Sequence, residues 1–164
     1  DTCDIRAALP ESDATDPYCR TAPGFVTRVT GLASYVIPRI DVLVSSTFRS
    51  DQGESLEANF AFPNSLIAPQ LGRNLSAGSN ANVTVNLIEP GTVWGDRVNE
   101  IDLRLAKIFR FGGTRTNIGF DIYNVLNSNA ILTYNETFVP GGSWLRPNAV
   151  LSPRFVKFSA QVDF

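Results

Sequence analysis

Residues 98–125 read VNEIDLRLAKIFRFGGTRTNIGFDIYNV, and a period of two rather than 3.6 marks them as strands. Gly112-Gly113 divides the stretch at a point where a tight turn needs positive φ, which glycine accepts without steric cost. Folding the chain back there sets Leu105 against Phe120 and Leu103 against Ile122 on one face. The other face then carries Arg104 against Asp121 and Asp102 against Tyr123. Apolar meets apolar and a cation meets an anion, as stabilising cross-strand pairs do. Lys107 breaks the pattern on the apolar side, where its long stem near a strand end can snorkel.

Working outward, residues 25–49 read FVTRVTGLASYVIPRIDVLVSSTFR. A turn at Pro38-Arg39 predicts Tyr35 opposite Val42, Ala33 opposite Val44 and Val29 opposite Phe48, with Ile40 opening the return strand. Asp41 and Arg49 then share the polar face with Ser45 and Thr47. The last run, residues 154–164, reads RFVKFSAQVDF and alternates to its final Phe164. Two minimal turns contrast with long connections at residues 50–97 and 128–153, rich in Pro, Gly and Asn. Within the first of these, residues 55–62 and 82–89 extend the strands or form a small hairpin.

The expected fold is all-β, an antiparallel meander forming part of an outer-membrane-type barrel, with short turns on one edge and long loops on the other. Its expected division is a disulfide-closed outer loop at 1–24 and barrel strands at 25–164. A soluble sandwich also alternates, but three features favour a membrane wall. Runs of about 11–14 residues exceed the roughly 5–6 of soluble strands and suit the ~9–11 that cross a bilayer. Aromatics gather at strand ends: Phe109, Phe111, Tyr35 and Phe164 by the short turns, Phe25 and Phe48 by the long loops. Asp41, Arg49, Asp102, Arg104 and Asp121 fall at mid-strand on the polar faces, as a water-filled lumen would have them. Small membrane barrels need about eight strands, and five long ones are readable here. Unpaired edges in lipid leave N–H and C=O groups without partners, so closure calls for strands from elsewhere.

Composition narrows the function. Of 164 residues 18% are charged and the net charge is −2, with Lys107 and Lys157 the only lysines, which gives no basic footprint for nucleic acid. No histidine is present, removing the commonest catalytic base and metal ligand. Asp102 and Asp121 could be read as paired catalytic carboxylates, but solvation and the Arg104 partner explain them better. No enzyme, cofactor or metal is expected. Cys3 and Cys19 flank a polar, Asp- and Pro-rich segment and read as an oxidised pair in an extracytoplasmic compartment. Asp1, Asp4, Asp13 and Asp16 could gather round Ca²⁺ there, though a solvated acidic loop is the expected reading. Asn74, Asn82 and Asn135 match the glycosylation acceptor pattern. Trp94, Trp144, Tyr134 and Phe138 lie in or beside long loops, where loop packing is favoured over ligand contact. The chain contains no Met, so processing or truncation before Asp1 is expected.

GDRVNEIDLRLAKIFRFGGTRTNIGFDIYNVLN (Gly95 to Asn127) and WLRPNAVLSPRFVKFSAQVDF (Trp144 to Phe164) together resemble the C-terminal end of TonB-dependent outer-membrane receptors. The likeness is closest to the Oar-like group with a carboxypeptidase-regulatory-like domain. FVTRVTGLASYVIPRIDVLVSSTFRSDQG (Phe25 to Gly53) and VTVNLIEPGTVWGDRVN (Val83 to Asn99) fit the same pattern. The resemblance implies a plugged barrel of roughly 22 strands that imports bulky substrates with energy from TonB. It also implies that Phe158, Ala160, Val162 and Phe164 form the signal read by the barrel-assembly machinery. Plug and earlier strands do not lie within these 164 residues, so only the wall role and the terminal signal carry over. The implied partners are the remainder of the receptor barrel or further copies of the chain, in the bacterial outer membrane or at the cell surface. The alternative is a structural subunit that self-assembles through open strand edges into a tube or fibre.

Overall fold

The structure, a computed structural model, describes residues 3–8, 17–22 and 24–164. In chain order its elements are α1 (Cys3–Ala8), β1 (Arg28–Ile37), β2 (Val42–Asp51), β3 (Asn59–Pro63), α2 (Asn64–Leu71), β4 (Asn82–Asn86), β5 (Val98–Phe111), β6 (Thr114–Tyr123), β7 (Ile131–Tyr134), β8 (Pro147–Val150) and β9 (Phe155–Asp163). Strands dominate, and the helices are short. Contacts divide the chain into two units. One comprises Asp1–Val26, Glu54–Gly95 and Thr133–Ala149; the other comprises Thr27–Gly53, Asp96–Leu132 and Val150–Phe164.

The second unit holds a five-stranded sheet in the order β1-β2-β5-β6-β9, antiparallel throughout. The order follows the chain, which makes it a meander. The sheet is open, with β1 and β9 as its edges. The turns at residues 38–41 and 112–113 lie at one end of the strands, and the chain enters and leaves for its longer excursions at the other. The β5–β6 register is the one read from the sequence: Leu105 faces Phe120, Leu103 faces Ile122 and Arg104 faces Asp121. Gly112, at φ 59°, takes the conformation that the tight turn demands.

The first hairpin differs from expectation by two residues. Tyr35 pairs with Val44, Ala33 with Ser46 and Val29 with Ser50. Proline explains the shift. A two-residue turn at Pro38-Arg39 would need positive φ at its first position, and the pyrrolidine ring holds φ near −65°. The turn therefore spans residues 38–41, with Arg39 at φ 75° and Asp41 at φ 50°. Ile40 and Asp41 belong to this turn, not to β2. A shift of two preserves parity, so every side chain keeps its expected face.

One face is apolar across all five strands. Its central row runs Tyr35, Val44, Leu105, Phe120, Phe158 by successive pairings, with the last two rings 5.1 Å apart. The next row runs Ala33, Ser46, Leu103, Ile122, Val156. Much of this face is uncovered: Tyr35 is 64% exposed, Leu105 46% and Phe158 76%. By contrast, seven hydrophobic residues are buried among those described, three of them alanines. Val98, Ala130 and Leu151, with Leu132 against them, form a small core in the same unit.

In the first unit β3 and β4 pair antiparallel, Phe60 opposite Val85 and Phe62 opposite Val83. This is the small hairpin left open above, with α2 between its strands. Helix α2 was not foreseen; its sequence NSLIAPQL contains Pro69 and shows little amphipathic period. Gly72, left-handed at φ 74°, ends it by donating its N–H to the Ala68 carbonyl. Asn64, buried, fixes the connection: its Nδ2 donates to Asn74 Oδ1 at 3.0 Å and its Oδ1 accepts from the Leu75 N–H at 2.8 Å. Strands β7 and β8 make a further two-stranded sheet. Cys3 and Cys19 are disulfide-bonded, with Cα atoms 4.8 Å apart.

Candidate functional site

The face opposite the apolar rows carries the sheet's charge. Strand alternation puts Ser34, Ser45, Arg104, Asp121 and Lys157 in one row. Arg104 Nη1 lies 2.9 and 3.2 Å from the two Asp121 oxygens, and the Asp121 side chain is only 5% exposed. Gly119 makes this reach possible. A β-carbon there would stand 3.0 Å from Arg104 Nη2 and 2.6 Å from Ser159 Oγ. The bare backbone at Gly119 leaves room for the guanidinium and for the Ser159 hydroxyl.

Towards the open end of the strands, Arg49 Nη2 pairs with Glu100 at 3.1 Å and its Nε with Asp51 at 3.6 Å, while Arg28 reaches Asp51 at 3.0 Å. Asp102 accepts from Thr47 Oγ1 at 3.3 Å and from the Asn124 backbone N–H at 2.9 Å. Asp41 is not a mid-strand residue: it sits in the first turn and pairs with Arg110. Arg49, Asp102, Arg104 and Asp121 do lie in strands on one face; Arg49 and Arg104 are ion-paired, Arg104 with Asp121, and Asp102 accepts from neutral donors. Asp102 and Asp121 serve different partners. Among the described residues no group of metal-ligating side chains gathers. Asp1, Asp13 and Asp16 of the considered calcium site lie outside the described residues.

Two residues that the sequence reading missed hold this face in register. Arg97 places all five of its N–H donors. Nε gives to Ser50 Oγ at 2.9 Å, Nη1 to Thr27 Oγ1 and Gln52 Oε1 at 3.0 Å each, and Nη2 to the carbonyls of Thr27 and Ser50 at 3.1 and 3.3 Å. It thereby ties together the loop-side ends of β1, β2 and β5. Asn124, buried and at φ 49°, does the same for β6. Its Nδ2 donates to the Ser128 and Ser152 carbonyls at 2.8 Å each, and its Oδ1 accepts from the Ser128 N–H at 2.9 Å. Asn at a strand end, tolerant of left-handed φ, was the one local signal available.

On the apolar face Phe158, Ala160 and Val162 lie on β9, with Phe164 just beyond it and fully exposed. Lys107, the blemish in that face, donates from Nζ to the Ile40 carbonyl and lies 5.8 Å from the Phe109 ring centroid. Its charge is led back to the turn.

In the first unit the loop aromatics pack. Phe138 meets Trp144 edge-on at 5.5 Å and Phe60 at 6.2 Å, and Trp144 Nε1 donates to the Glu57 carbonyl at 3.0 Å. Trp94 Nε1 donates to Gly91 O at 3.1 Å. Asn135 Nδ2 is taken up by Ser143, and Asn74 by Asn64. Glu136 has its carboxyl held above the ordinary range, first by burial and then by the neighbouring Glu57 and Glu54 carboxylates. No helix among the described residues is long and apolar enough to cross a membrane, which says nothing of crossing by strands.

Comparison with family models, with curated proteins and with solved structures found no match to this chain.

Proposed function

We propose that the chain is wall from an outer-membrane barrel, the C-terminal strands of a TonB-dependent receptor for bulky substrates. The observation that carries the reading is the uncovered apolar row Tyr35, Val44, Leu105, Phe120, Phe158 backed by the ion-paired row on the other face. A water-soluble sheet buries its apolar face; this one leaves its large apolar groups uncovered and carries ion pairs on the opposite face. Short turns at one end of the strands and long excursions at the other support the same reading. So does the retraction of Lys107 to the turn carbonyl. The wall would bind no cofactor, and selectivity would belong to other parts of the receptor. Phe158, Ala160, Val162 and Phe164 would be the terminal signal offered to the barrel-assembly machinery.

Fractionating cells that make the chain, with an antibody against residues 128–153, tests this. The expected result is signal in outer-membrane fractions, on a polypeptide much larger than 17.9 kDa that contributes the missing strands. Signal confined to soluble fractions would overturn it. One observation favours a second reading, a self-assembling structural subunit: among the described residues, β1 and β9 have no strand paired on their outer sides.

A further inference from the structure

The main sheet has an odd number of strands, each antiparallel to its neighbours, so its edge strands β1 and β9 run in the same direction. Copies joined head to tail would therefore meet as parallel strands, against the alternation kept everywhere else in the sheet. An antiparallel join needs like edges to meet about a two-fold axis, an isologous contact. Strand β1 offers little to such a join, since its one charged residue, Arg28, is already paired with Asp51.

Strand β9 is self-complementary. Two antiparallel copies centred on Ala160 set Lys157 of each opposite Asp163 of the other, and Ser159 opposite Gln161. On the apolar face Phe158 meets Val162 and Val156 meets Phe164. Sliding by one step that preserves the faces destroys this match. One direction sets Lys157 against Gln161 and Phe155 against Asp163; the other takes Lys157 away from Asp163 and sets Ser159 against it. A lysine on an edge strand ordinarily discourages pairing, and of these three registers the one centred on Ala160 sets Lys157 opposite Asp163. The apolar side chains involved are uncovered, with Phe158 76% and Val156 54% exposed. Asp163 is oriented by Gln161, whose Nε2 donates to it at 3.0 Å.

We infer that the β9 edge accepts a second copy of this chain, antiparallel about a two-fold axis at Ala160, with two Lys157–Asp163 pairs selecting the register. The inference does not need the apolar face to meet lipid. The two copies point their short turns in opposite directions, so the pairing belongs to the chain away from a bilayer, and strands from the rest of a barrel would compete for the same edge.

The full 164-residue chain in neutral detergent, with Cys3–Cys19 intact, provides the test. Ala160→Cys is expected to give a disulfide-linked dimer on mild oxidation, and Thr30→Cys on the other edge is not. Independently of any added cysteine, Lys157→Glu should weaken dimerisation in sedimentation equilibrium by roughly tenfold, because it sets like charges opposite each other twice. The exchange of Lys157→Asp with Asp163→Lys should restore it. Cross-linking at position 160 no faster than at 30, a monomeric parent chain, or an exchange that fails to restore association would each overturn the inference.

Discussion

Arg104 lies across Gly119, its Nη2 3.0 Å from the place where a β-carbon would stand. The glycine leaves room for the guanidinium, which pairs with the nearly covered carboxylate of Asp121. Gly119→Val is expected to push the guanidinium aside and leave that carboxylate short of its partner, at a cost of about 1–3 kcal/mol. Urea unfolding should show the penalty shrinking when Arg104 is already alanine. An unchanged penalty in that background would mean that valine clashes with something else, such as Ser159.

Asn124 combines a left-handed backbone with three side-chain hydrogen bonds in a buried position. Asn124→Ala should lose about 2–4 kcal/mol, since two carbonyls and an N–H are left without partners. Asn124→Gly should lose less than alanine, because glycine accepts the backbone conformation although it restores no bond. Equal losses in denaturant titrations would show that conformation contributes nothing at this site.

Glu136 sets a pH dependence whose sign is fixed by its raised pKa. Between the ordinary carboxylate pKa and the raised one, the folded chain holds more proton than the unfolded chain, so stability falls as pH rises. The favourable contribution is fully present below the unfolded pKa and is lost as pH climbs through the folded one. Glu136→Gln should remove this step. Thermal melts of both proteins across the acidic range will show it; superimposable pH profiles would refute the assignment.

Leu105 occupies the centre of the apolar row. If that row meets lipid near the bilayer midplane, Leu105→Arg should cost about 2–4 kcal/mol in a folding titration in lipid, within the parent barrel. At a half-exposed site in water the same change usually falls within about 0.5 kcal/mol. The two outcomes separate membrane wall from soluble sheet.

The face assignments were legible because alternation and cross-strand pairing are local patterns. Gly112-Gly113 gave the register of its hairpin directly. At Pro38-Arg39 the expected and observed registers differ by two residues because proline cannot supply the positive φ that the first position of a two-residue turn needs. Arg97 was not legible: its partners Thr27, Ser50 and Gln52 are between 45 and 70 residues away along the chain, and nothing in its neighbourhood announces them. The same holds for Gly119, which in the sequence is only a gap in an alternating strand. Its use depends on the length of a side chain from the next strand.

Arg97 and Asn124 have a consequence for how such a chain can change over generations. Their bonds, some to backbone and some to near neighbours, all lie within the unit that contains the sheet, so the strands are fastened before the chain departs into residues 54–95 or 133–149. These bonds fasten the strand ends without drawing on those excursions. Insertions, deletions and wholesale replacement there can accumulate while the frame is inherited unaltered, and an engineer could graft foreign peptides at the same two joints.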